Sequence, residues 1–501
     1  MIPSRSELLK KAASTELWDI IVIGGGATGL GTALDAASRG YSTLLLEAHD
    51  FGKGTSSKST KLIHGGVRYL RQGNVKMVMK ALRERGRLLK NAPHIVGPLQ
   101  FVVPCYKWWH KLWHGIGMKV YDALARSLGI APSRWLDFDS TISLLPGITK
   151  AGLRGGVSYW DGQFDDARLL ISLAQTTVLN RGIPLNYMKV VGLTTFNGRT
   201  TGVEAIDQES GTAYSFEGKV VINATGAFTD QIRHMDQPNA KGIMQAAQGI
   251  HLVLDASFLS EKTAVMVPGT DDGRVIFGVP WHGKVLLGTT DTPRDTVSLE
   301  PKALEEEIDY LLDHAGRYFS MKPRRSDVLS VYAGLRPLVK ANKETKAISR
   351  DHTIEVSKTG LVTITGGKWT TYRQMGEDAV NRAEKVAGFA RRKCLTRNMA
   401  LFDGSTLRDE ESQEPDLPLE GFPYSTADIE RAIQFEWPVS LEDMMARRTR
   451  CLLLNAAHSK LASLKIAEQM ARAFHWTDEK KQTEIEQYAE LVSMYEVTKD
   501  V

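Results

Sequence analysis

Apolar runs of strand length alternate with helical spacing over the first fifty residues of the chain. Trp18–Ile23 is rich in β-branched residues, which predicts a buried parallel strand. Small residues at helical spacing follow over 28–39, Gly40 ends this helix, and the apolar run 42–46 predicts a second strand. The pattern therefore predicts a strand–turn–helix–strand unit.

The turn of this unit carries three spaced glycines. Gly24 permits a tight turn, Gly26 lets the backbone approach a pyrophosphate, and Gly29 lets the helix pack closely on the strand. Glu47 closes the second strand about 20 residues later, where a carboxylate can accept a hydrogen bond from a ribose hydroxyl. A glycine-rich turn without a ligand is the alternative, but the whole context favours dinucleotide binding.

A second signal bears on the choice between FAD and NAD. The apolar strand 219–223 ends in Ala224-Thr225-Gly226, whose small residues let the backbone pass close to a dinucleotide. An ordinary strand-to-helix turn would explain this tripeptide on its own. Together with the first glycine turn it favours FAD.

Beyond residue 160 the apolar pattern becomes mainly strand-like and then helical again. It first predicts a helix over 165–180, a strand over 185–191 and a meander over 193–216. Antiparallel strands follow from residue 250, with a hairpin of 274–279 and 285–290. The remaining elements are a helix over 301–318, strands over 328–333, 348–356 and 361–365, and a helix over 370–386. Residues 403–420 have the composition of a linker, and 425–501 have a helical pattern throughout. The first 17 residues predict a short, partly frayed helical lead-in.

This order predicts a discontinuous nucleotide-binding domain. The fold class is α/β, and α+β overall, with a Rossmann-like FAD-binding domain, an inserted antiparallel-sheet substrate domain and a C-terminal all-helical domain. The predicted oxidoreductase region is 15–400, with FAD-binding parts at about 15–100, 155–240 and 350–395, a substrate-binding part at about 241–349, a membrane-interface segment at 101–150 and a C-terminal domain at 405–501.

Composition narrows the classes of function. The 501 residues carry a formal net charge of only +5, evenly spread, so nucleic acid is not expected as a partner. Cys105, Cys394 and Cys451 are too few and too scattered for a disulfide framework or a cysteine-rich metal site, and no metal is predicted. No apolar run reaches the length of about 18 residues expected of a membrane-spanning helix, and the N-terminal residues lack the apolar stretch of a signal peptide.

A polar loop after the nucleotide-binding unit is not explained by folding propensity. Residues 55–70 read TSSKSTKLIHGGVRYL, which closely resembles the FAD-dependent glycerol-3-phosphate dehydrogenases of the respiratory chain, within the D-amino-acid-oxidase-like flavoproteins. The resemblance extends to 160–168 (WDGQFDDAR), 333–337 (AGLRP), 366–373 (GGKWTTYR) and 446–450 (ARRTR). The motif YKWW at 106–109 is similar to the mitochondrial branch, whereas no calcium-binding EF-hand sequence follows residue 403.

The resemblance implies oxidation of sn-glycerol 3-phosphate to dihydroxyacetone phosphate by hydride transfer from C2 to FAD. Arg336 and Arg68 are the candidate phosphate ligands, because a phosphate dianion favours planar guanidinium donors, and Tyr69 could donate to the same phosphate. His251, alone in an apolar strand, resembles the substrate-facing histidine of the family and is the candidate general base. Lys368, at a helix start, is the candidate to stabilise negative charge on the reduced flavin.

Each candidate also has a plain structural explanation: a surface ion pair, a packed tyrosine, a core histidine or a solvated lysine. His64 is the alternative base, but it is predicted to lie nearer the flavin. The predicted cofactor contacts are Gly24, Gly26, Thr28, Gly29, Glu47, Thr55, Ser56, Ser57, Lys61, Leu62, His64, Gly65, Gly66, Val190, Ala224, Thr225, Gly226, Gly367, Lys368, Trp369 and Thr370.

Tryptophan and lysine alternate in the segment that follows residue 106. Trp108, Trp109 and Trp113 alternate with Lys107 and Lys111, which suits either an in-plane membrane anchor or a buried aromatic cluster between domains. The residues alone favour neither. The electron acceptor of the family is a membrane quinone, so the resemblance implies a cytoplasmic protein attached peripherally to the inner face of the cytoplasmic membrane.

The acceptor and the assembly stay open at the level of sequence. An oxidase that passes electrons to oxygen shares the same half-reaction, and a nicotinamide dehydrogenase and a non-catalytic flavin-binding protein are the other classes considered. The C-terminal helices are compatible with capping the fold, with membrane binding or with a homodimer.

Overall fold

The computed structural model describes residues 2–66, 74–125, 129–267, 269–271, 273–340, 351–404 and 416–498. Its strands are β1 (Trp18–Ile23), β2 (Thr43–Leu46), β3 (Leu62–Ile63), β4 (Val96–Pro104), β5 (Arg134–Leu136), β6 (Gly156–Phe164), β7 (Ile183–Leu185), β8 (Met188–Phe196), β9 (Arg199–Asp207), β10 (Ala213–Asn223), β11 (Met244–Asp255), β12 (Thr263–Met266), β13 (Phe277–Trp281), β14 (Lys284–Gly288), β15 (Thr292–Arg294), β16 (Ser330–Val339), β17 (His352–Val356) and β18 (Val362–Gly366). Its α-helices are α1 (Arg5–Ala13), α2 (Ala27–Ser38), α3 (Val75–Asn91), α4 (Trp108–Ala125), α5 (Phe138–Leu144), α6 (Asp166–Leu179), α7 (Thr229–Asp236), α8 (Glu305–Gly316), α9 (Tyr372–Ala387), α10 (Thr426–Phe435), α11 (Cys451–Leu454), α12 (Ala456–Phe474) and α13 (Asp478–Ser493).

The first sheet is the predicted nucleotide-binding layer. Its order is β17-β18-β10-β1-β2-β7, in which the strands from β18 to β7 run parallel and β17 is antiparallel to β18. The antiparallel pairs β8–β9 and β9–β10 form the predicted meander. β1 and β2 are almost entirely buried, and α2 packs between them and α9. The predicted strand–turn–helix–strand unit is confirmed, because a buried parallel strand has to be apolar along its whole length.

The second sheet is mainly antiparallel and has the order β15-β11-β14-β13-β12-β4-β6-β3, with β16 on β11 and β5 on β6. The inserted antiparallel sheet is therefore present, with one parallel pair between β12 and β4. Strands β3 to β6 also belong to it, although their segments were predicted as FAD-binding or membrane-interface parts. Their partners lie far away in the sequence, so no local pattern could assign them to this sheet.

Two local predictions need correction. The N-terminal residues are packed rather than frayed: α1 begins at a Ser4 capping box, Leu8 and Ala12 are buried, and Arg5 binds Asp207 at 2.5 Å. The predicted strand 185–191 is divided into β7 and β8, because Tyr187 adopts a left-handed φ of 54° that a continuous strand does not allow.

The C-terminal domain is helical, as predicted. It consists of α10 to α13 with a π-helical segment at 443–448, and its apolar side chains share one core cluster with the second sheet. Most of the predicted linker falls outside the described residues. Within the described ranges, no helix is both long and apolar enough to cross a membrane.

Candidate functional site

A cavity of about 710 Å³ is lined by residues of both sheets. One part of its wall is the Gly24 turn at the carboxyl end of β1, and another part is formed by β11 and β16 of the second sheet. Ligands of parallel α/β sheets bind at the carboxyl ends of the strands. The position of the cavity therefore fits a nucleotide whose reactive group lies against the antiparallel sheet.

The glycine turn has the geometry of a phosphate cradle. Gly24 has a φ of 107°, and a side chain there would approach the carbonyl oxygen of Ala224 to 2.8 Å, so the second small-residue turn passes directly beside the first. Gly26 is the N-cap of α2 and has no side-chain cap, while Ser56 Oγ accepts from the Ala27 amide at 3.0 Å. The open helix N-terminus and the absent side chains fit a pyrophosphate.

Glu47 connects the turn after β1 with the turn after β2 through hydrogen bonds. Its carboxylate accepts from the Gly25 amide at 2.6 Å and from the His49 amide at 2.9 Å. Burial raises the pKa of Glu47. The residue also lines the cavity, as expected of a group that accepts from a ribose hydroxyl.

His251 lies in β11 and faces the cavity. Its Nε2 is 2.8 Å from Thr60 Oγ1, and its ring stacks on Tyr332 with centroids 4.8 Å apart. Burial, and then the charges of Lys61 and Arg336, lower the pKa of His251 well below its usual value. Its Nδ1 is buried and has no hydrogen-bond partner among the described residues. A neutral imidazole can accept a proton.

Arg336 lies in β16, opposite Ala247 of β11. Its guanidinium donates to Asp291 Oδ1 at 2.9 Å and to Thr289 Oγ1 at 3.0 Å. Gly249 provides the space for it, because a side chain at that position would overlap the guanidinium. Arg336 and His251 thus lie on neighbouring strands and line the same cavity.

Lys368 follows two glycines that both have a φ of 78°. It is the N-cap of a 3₁₀ turn, Trp369–Thr371, that leads into α9, and its Nζ lies 3.6 Å from Met77 Sδ. Lys368 lines the cavity, so its ammonium and the helix start both bring positive potential to this wall.

Most of the predicted site residues are brought together. Those that line the cavity are Gly24, Gly26, Thr28, Glu47, Thr55, Ser56, Leu62, His64, Gly66, Val190, Ala224, Thr225, Gly226, His251, Arg336, Gly367, Lys368, Trp369 and Thr370. Arg68 and Tyr69 lie outside the described residues.

Four predicted cofactor contacts lie behind the cavity wall instead. Gly29 packs against the Gly24 carbonyl, and the Gly65 amide donates to Tyr121 Oη at 2.9 Å. Ser57 and Lys61 belong to a buried polar cluster, in which Lys61 Nζ is 2.7 Å from Asp166 and 2.8 Å from the Ser57 carbonyl. A buried ammonium needs a carboxylate partner more than it needs contact with a cofactor, which explains why the position of Lys61 differs from the prediction.

Several residues of the site were not predicted. Thr60 contacts His251, Tyr332 stacks on it, and Asp291 and Thr289 hold Arg336. Thr289 and Asp291 had a usable signal, since they are polar residues directly after the apolar strand β14. Lys58 and Arg274 also line the cavity.

Comparison with known proteins identifies the class. Residues 19–373 match the family model described as FAD dependent oxidoreductase, and residues 398–481 match the model described as the C-terminal domain of alpha-glycerophosphate oxidase. The fold and the site are accordingly those of a FAD-dependent oxidoreductase.

Similar proteins narrow the family. The chain is 39% identical to the mitochondrial glycerol-3-phosphate dehydrogenase of Homo sapiens, over 97% of this chain and 74% of that protein. It is 35% identical to the mitochondrial glycerol-3-phosphate dehydrogenase of Arabidopsis thaliana, over 100% of this chain and 90% of that protein. The structure of glycerol-3-phosphate dehydrogenase from Bacillus halodurans complexed with FAD superimposes with a TM-score of 0.76 and 28% identity, covering 98% and 97% of the two chains. The chain belongs to the family of FAD-dependent glycerol-3-phosphate dehydrogenases.

Proposed function

We propose that this protein oxidises sn-glycerol 3-phosphate to dihydroxyacetone phosphate, using FAD, and transfers the electrons to a membrane quinone. One observation carries the proposal: a histidine and a guanidinium lie on neighbouring strands, β11 and β16, in the cavity that the glycine turn also lines. Proton removal at C2 and phosphate binding are the two tasks that this substrate requires.

The residues present fit FAD. Gly24, Gly26 and the open N-terminus of α2 would hold the pyrophosphate, Glu47 the ribose, and the Gly366-Gly367-Lys368 turn the isoalloxazine. A bound FAD would supply the acceptor for the hydride that leaves C2.

The chain's own residues perform the remaining tasks. Arg336 binds the phosphate, the His251 imidazole accepts the hydroxyl proton, and the contact of Thr60 with Nε2 keeps the imidazole in one orientation. Lys368 supplies positive charge to the flavin wall of the cavity.

The test of the function is the visible spectrum of the purified protein before and after sn-glycerol 3-phosphate is added without oxygen. We expect a flavin band that bleaches promptly, whereas glycerol, which lacks the phosphate, leaves it unchanged. A flavin band that persists with sn-glycerol 3-phosphate would reject this substrate. Readmitting either a quinone or oxygen to the reduced protein then distinguishes the dehydrogenase from the oxidase.

The pH dependence of flavin reduction gives a further prediction. At saturating substrate, the rate constant is expected to stay level as the pH falls from 8 to 6. The lowered pKa of His251 keeps the ring neutral over this range, so the base remains able to accept a proton. A histidine with an ordinary pKa of about 6.5 would lose half of its activity at that pH. Stopped-flow absorbance measures the rate, and such a half-loss near pH 6.5 would contradict the assignment.

Peripheral membrane attachment of the segment that contains α4 is part of the proposal. The side chains of Trp108, Trp109 and Trp113 lie outside the described part, but Trp135, which covers Gly115 of α4, is 53% exposed, and Phe138 is 40% exposed. Exposed aromatic residues next to a helix suit insertion at the level of lipid headgroups.

Membrane attachment predicts a loss of vesicle binding in a surface double variant. Trp135→Ser with Phe138→Ser is expected to weaken binding to anionic phosphatidylglycerol vesicles by about tenfold or more, because the two aromatic side chains would no longer bury apolar surface. Co-sedimentation measures the bound fraction. The matched control is Leu461→Ser with Leu464→Ser, which removes two exposed leucines of α12. Equal binding by both double variants would argue against attachment through this face.

A further inference from the structure

A buried polar cluster lies behind the cavity wall, beneath the loop of residues 55–61. Asp166, the first residue of α6, is its centre: one carboxylate oxygen accepts from Ser59 Oγ at 2.7 Å and from Lys61 Nζ at 2.7 Å, and the other accepts from Arg450 at 2.9 Å. The side chains of Asp166, Lys61 and Arg450 have no exposed surface. Both oxygens of this carboxylate thus accept hydrogen bonds, two of them from residues of the loop, and these bonds tie the loop to α6.

Arg450 reaches this cluster from the C-terminal domain. Its backbone has a left-handed φ of 60°, and its guanidinium donates to the Ser57 carbonyl at 2.9 Å, to Asp166 and to the Ala446 carbonyl at 2.8 Å. A residue with a side chain adopts this backbone conformation at a cost, so the contacts of the guanidinium have to compensate for it. The C-terminal domain thus contacts the loop at a backbone carbonyl as well as through Asp166.

The same loop touches the catalytic histidine. Thr60 Oγ1 lies 2.8 Å from His251 Nε2, between Ser59 and Lys61, which are both fixed to Asp166. Tyr332 donates to the Ser59 carbonyl at 3.0 Å and stacks on the imidazole. The chain of contacts from Arg450 to His251 is therefore continuous.

A second C-terminal residue holds the loop from another side. Tyr495 donates to Glu300 at 2.9 Å, and Glu300 accepts from Lys58 at 2.6 Å. Lys58 lines the cavity and is in the same loop. The C-terminal domain therefore contacts the loop through two independent sets of bonds.

We propose that Arg450 is a positioning residue for the reaction: it holds the loop 55–61 so that Thr60 orients His251, and the C-terminal domain thereby completes the active site. This inference rests on the proposed function, in which His251 accepts the substrate proton.

The experiment compares Arg450→Met with Arg168→Met. Arg168 also joins the body of the protein to the C-terminal domain, but through a bidentate pair of its guanidinium with Glu436 at 2.6 and 2.7 Å rather than through a bond to the loop. We expect Arg450→Met to lower the rate constant of anaerobic flavin reduction by about 10- to 100-fold, because small misplacements of a catalytic group have effects of this size. The KM, the FAD content and the absorbance maxima should stay as in the wild type. Arg168→Met should lower the Tm about as much as Arg450→Met does, but should keep the wild-type rate constant.

Hydrogen exchange gives a readout that does not depend on turnover. The amides of residues 55–61 should exchange faster in Arg450→Met than in the wild type or in Arg168→Met. Unchanged exchange in Arg450→Met overturns the inference, even if the wild-type protein does not react with sn-glycerol 3-phosphate. Absence of that wild-type reaction overturns the proposed function instead.

A double-mutant cycle tests the route through Thr60. If Arg450 acts through Thr60, the variant Thr60→Val with Arg450→Met should be no slower than the slower single variant, because the two residues act as one unit. Rate losses that multiply would overturn this route. If Arg450→Met fails to fold, the same double-mutant cycle is measured with Arg450→Lys. A single ammonium cannot replace the two guanidinium nitrogens that contact Ser57 and Ala446.

Discussion

Arg336→Ala is expected to raise the KM for sn-glycerol 3-phosphate by roughly 30- to 1,000-fold while the protein retains its FAD. The loss corresponds to about 2–4 kcal/mol for removal of the charged partner of a bound phosphate. The guanidinium is presented into the cavity by β16 and is held there by Thr289 and Asp291.

The matched control for Arg336 is Arg294→Ala. Arg294 is in β15, which pairs with β11 as β16 does; it donates to Gln248 at 3.0 Å and is not among the residues that line the cavity. Its removal should leave the KM within about twofold of the wild type, as expected of a surface change. Initial rates with an artificial electron acceptor give both KM values, and the absorbance ratio at 450 and 280 nm gives the flavin content. An Arg336→Ala protein that lacks flavin would show that Arg336 serves the cofactor rather than the substrate.

His251→Ala is expected to slow anaerobic flavin reduction by roughly 10²- to 10⁴-fold, the usual contribution of a general base. The imidazole is buried and neutral, its Nε2 is held by Thr60, and Tyr332 fixes the plane of the ring. Thr60 and Tyr332 thus hold the imidazole in one position. A water molecule in the space left by the substitution would lack these contacts and would be a poor substitute for the base. Stopped-flow measurement at saturating substrate isolates this step from phosphate binding.

The control for His251 is His282→Ala, in the turn between β13 and β14. This imidazole lies 3.6 Å from Asp165 and is partly exposed, so its loss should leave the reduction rate near that of the wild type. A second variant, His251→Gln, preserves a polar group of similar length and should also be slow, since an amide does not accept the proton. An unchanged rate in both His251 variants would remove this residue from the mechanism.

The nucleotide-binding half of the site could be predicted from the sequence because the residues that form it lie close together along the chain. Gly24 adopts a positive φ, Gly26 caps α2, and Glu47 lies at the end of the next strand, all within one strand–turn–helix–strand unit. The apolar content of a parallel strand and the conformational freedom of glycine are properties of short segments. His251, Arg336 and Lys368 came from family resemblance, and all three line the cavity.

The roles that depend on distant partners were decided by the tertiary structure. Lys61 occurs in the same motif as the cavity residues, yet behind the wall it pairs with Asp166, which also accepts from Arg450. Strands β4 and β6 belong to the second sheet. Whether a cation faces a cofactor or a buried carboxylate depends on which groups folding places beside it. By itself the sequence determined the glycine turn, the strand–turn–helix–strand unit around it and the chemistry available. Only the tertiary structure decided which of these groups meet, because pairing and desolvation arise between segments that can be hundreds of residues apart.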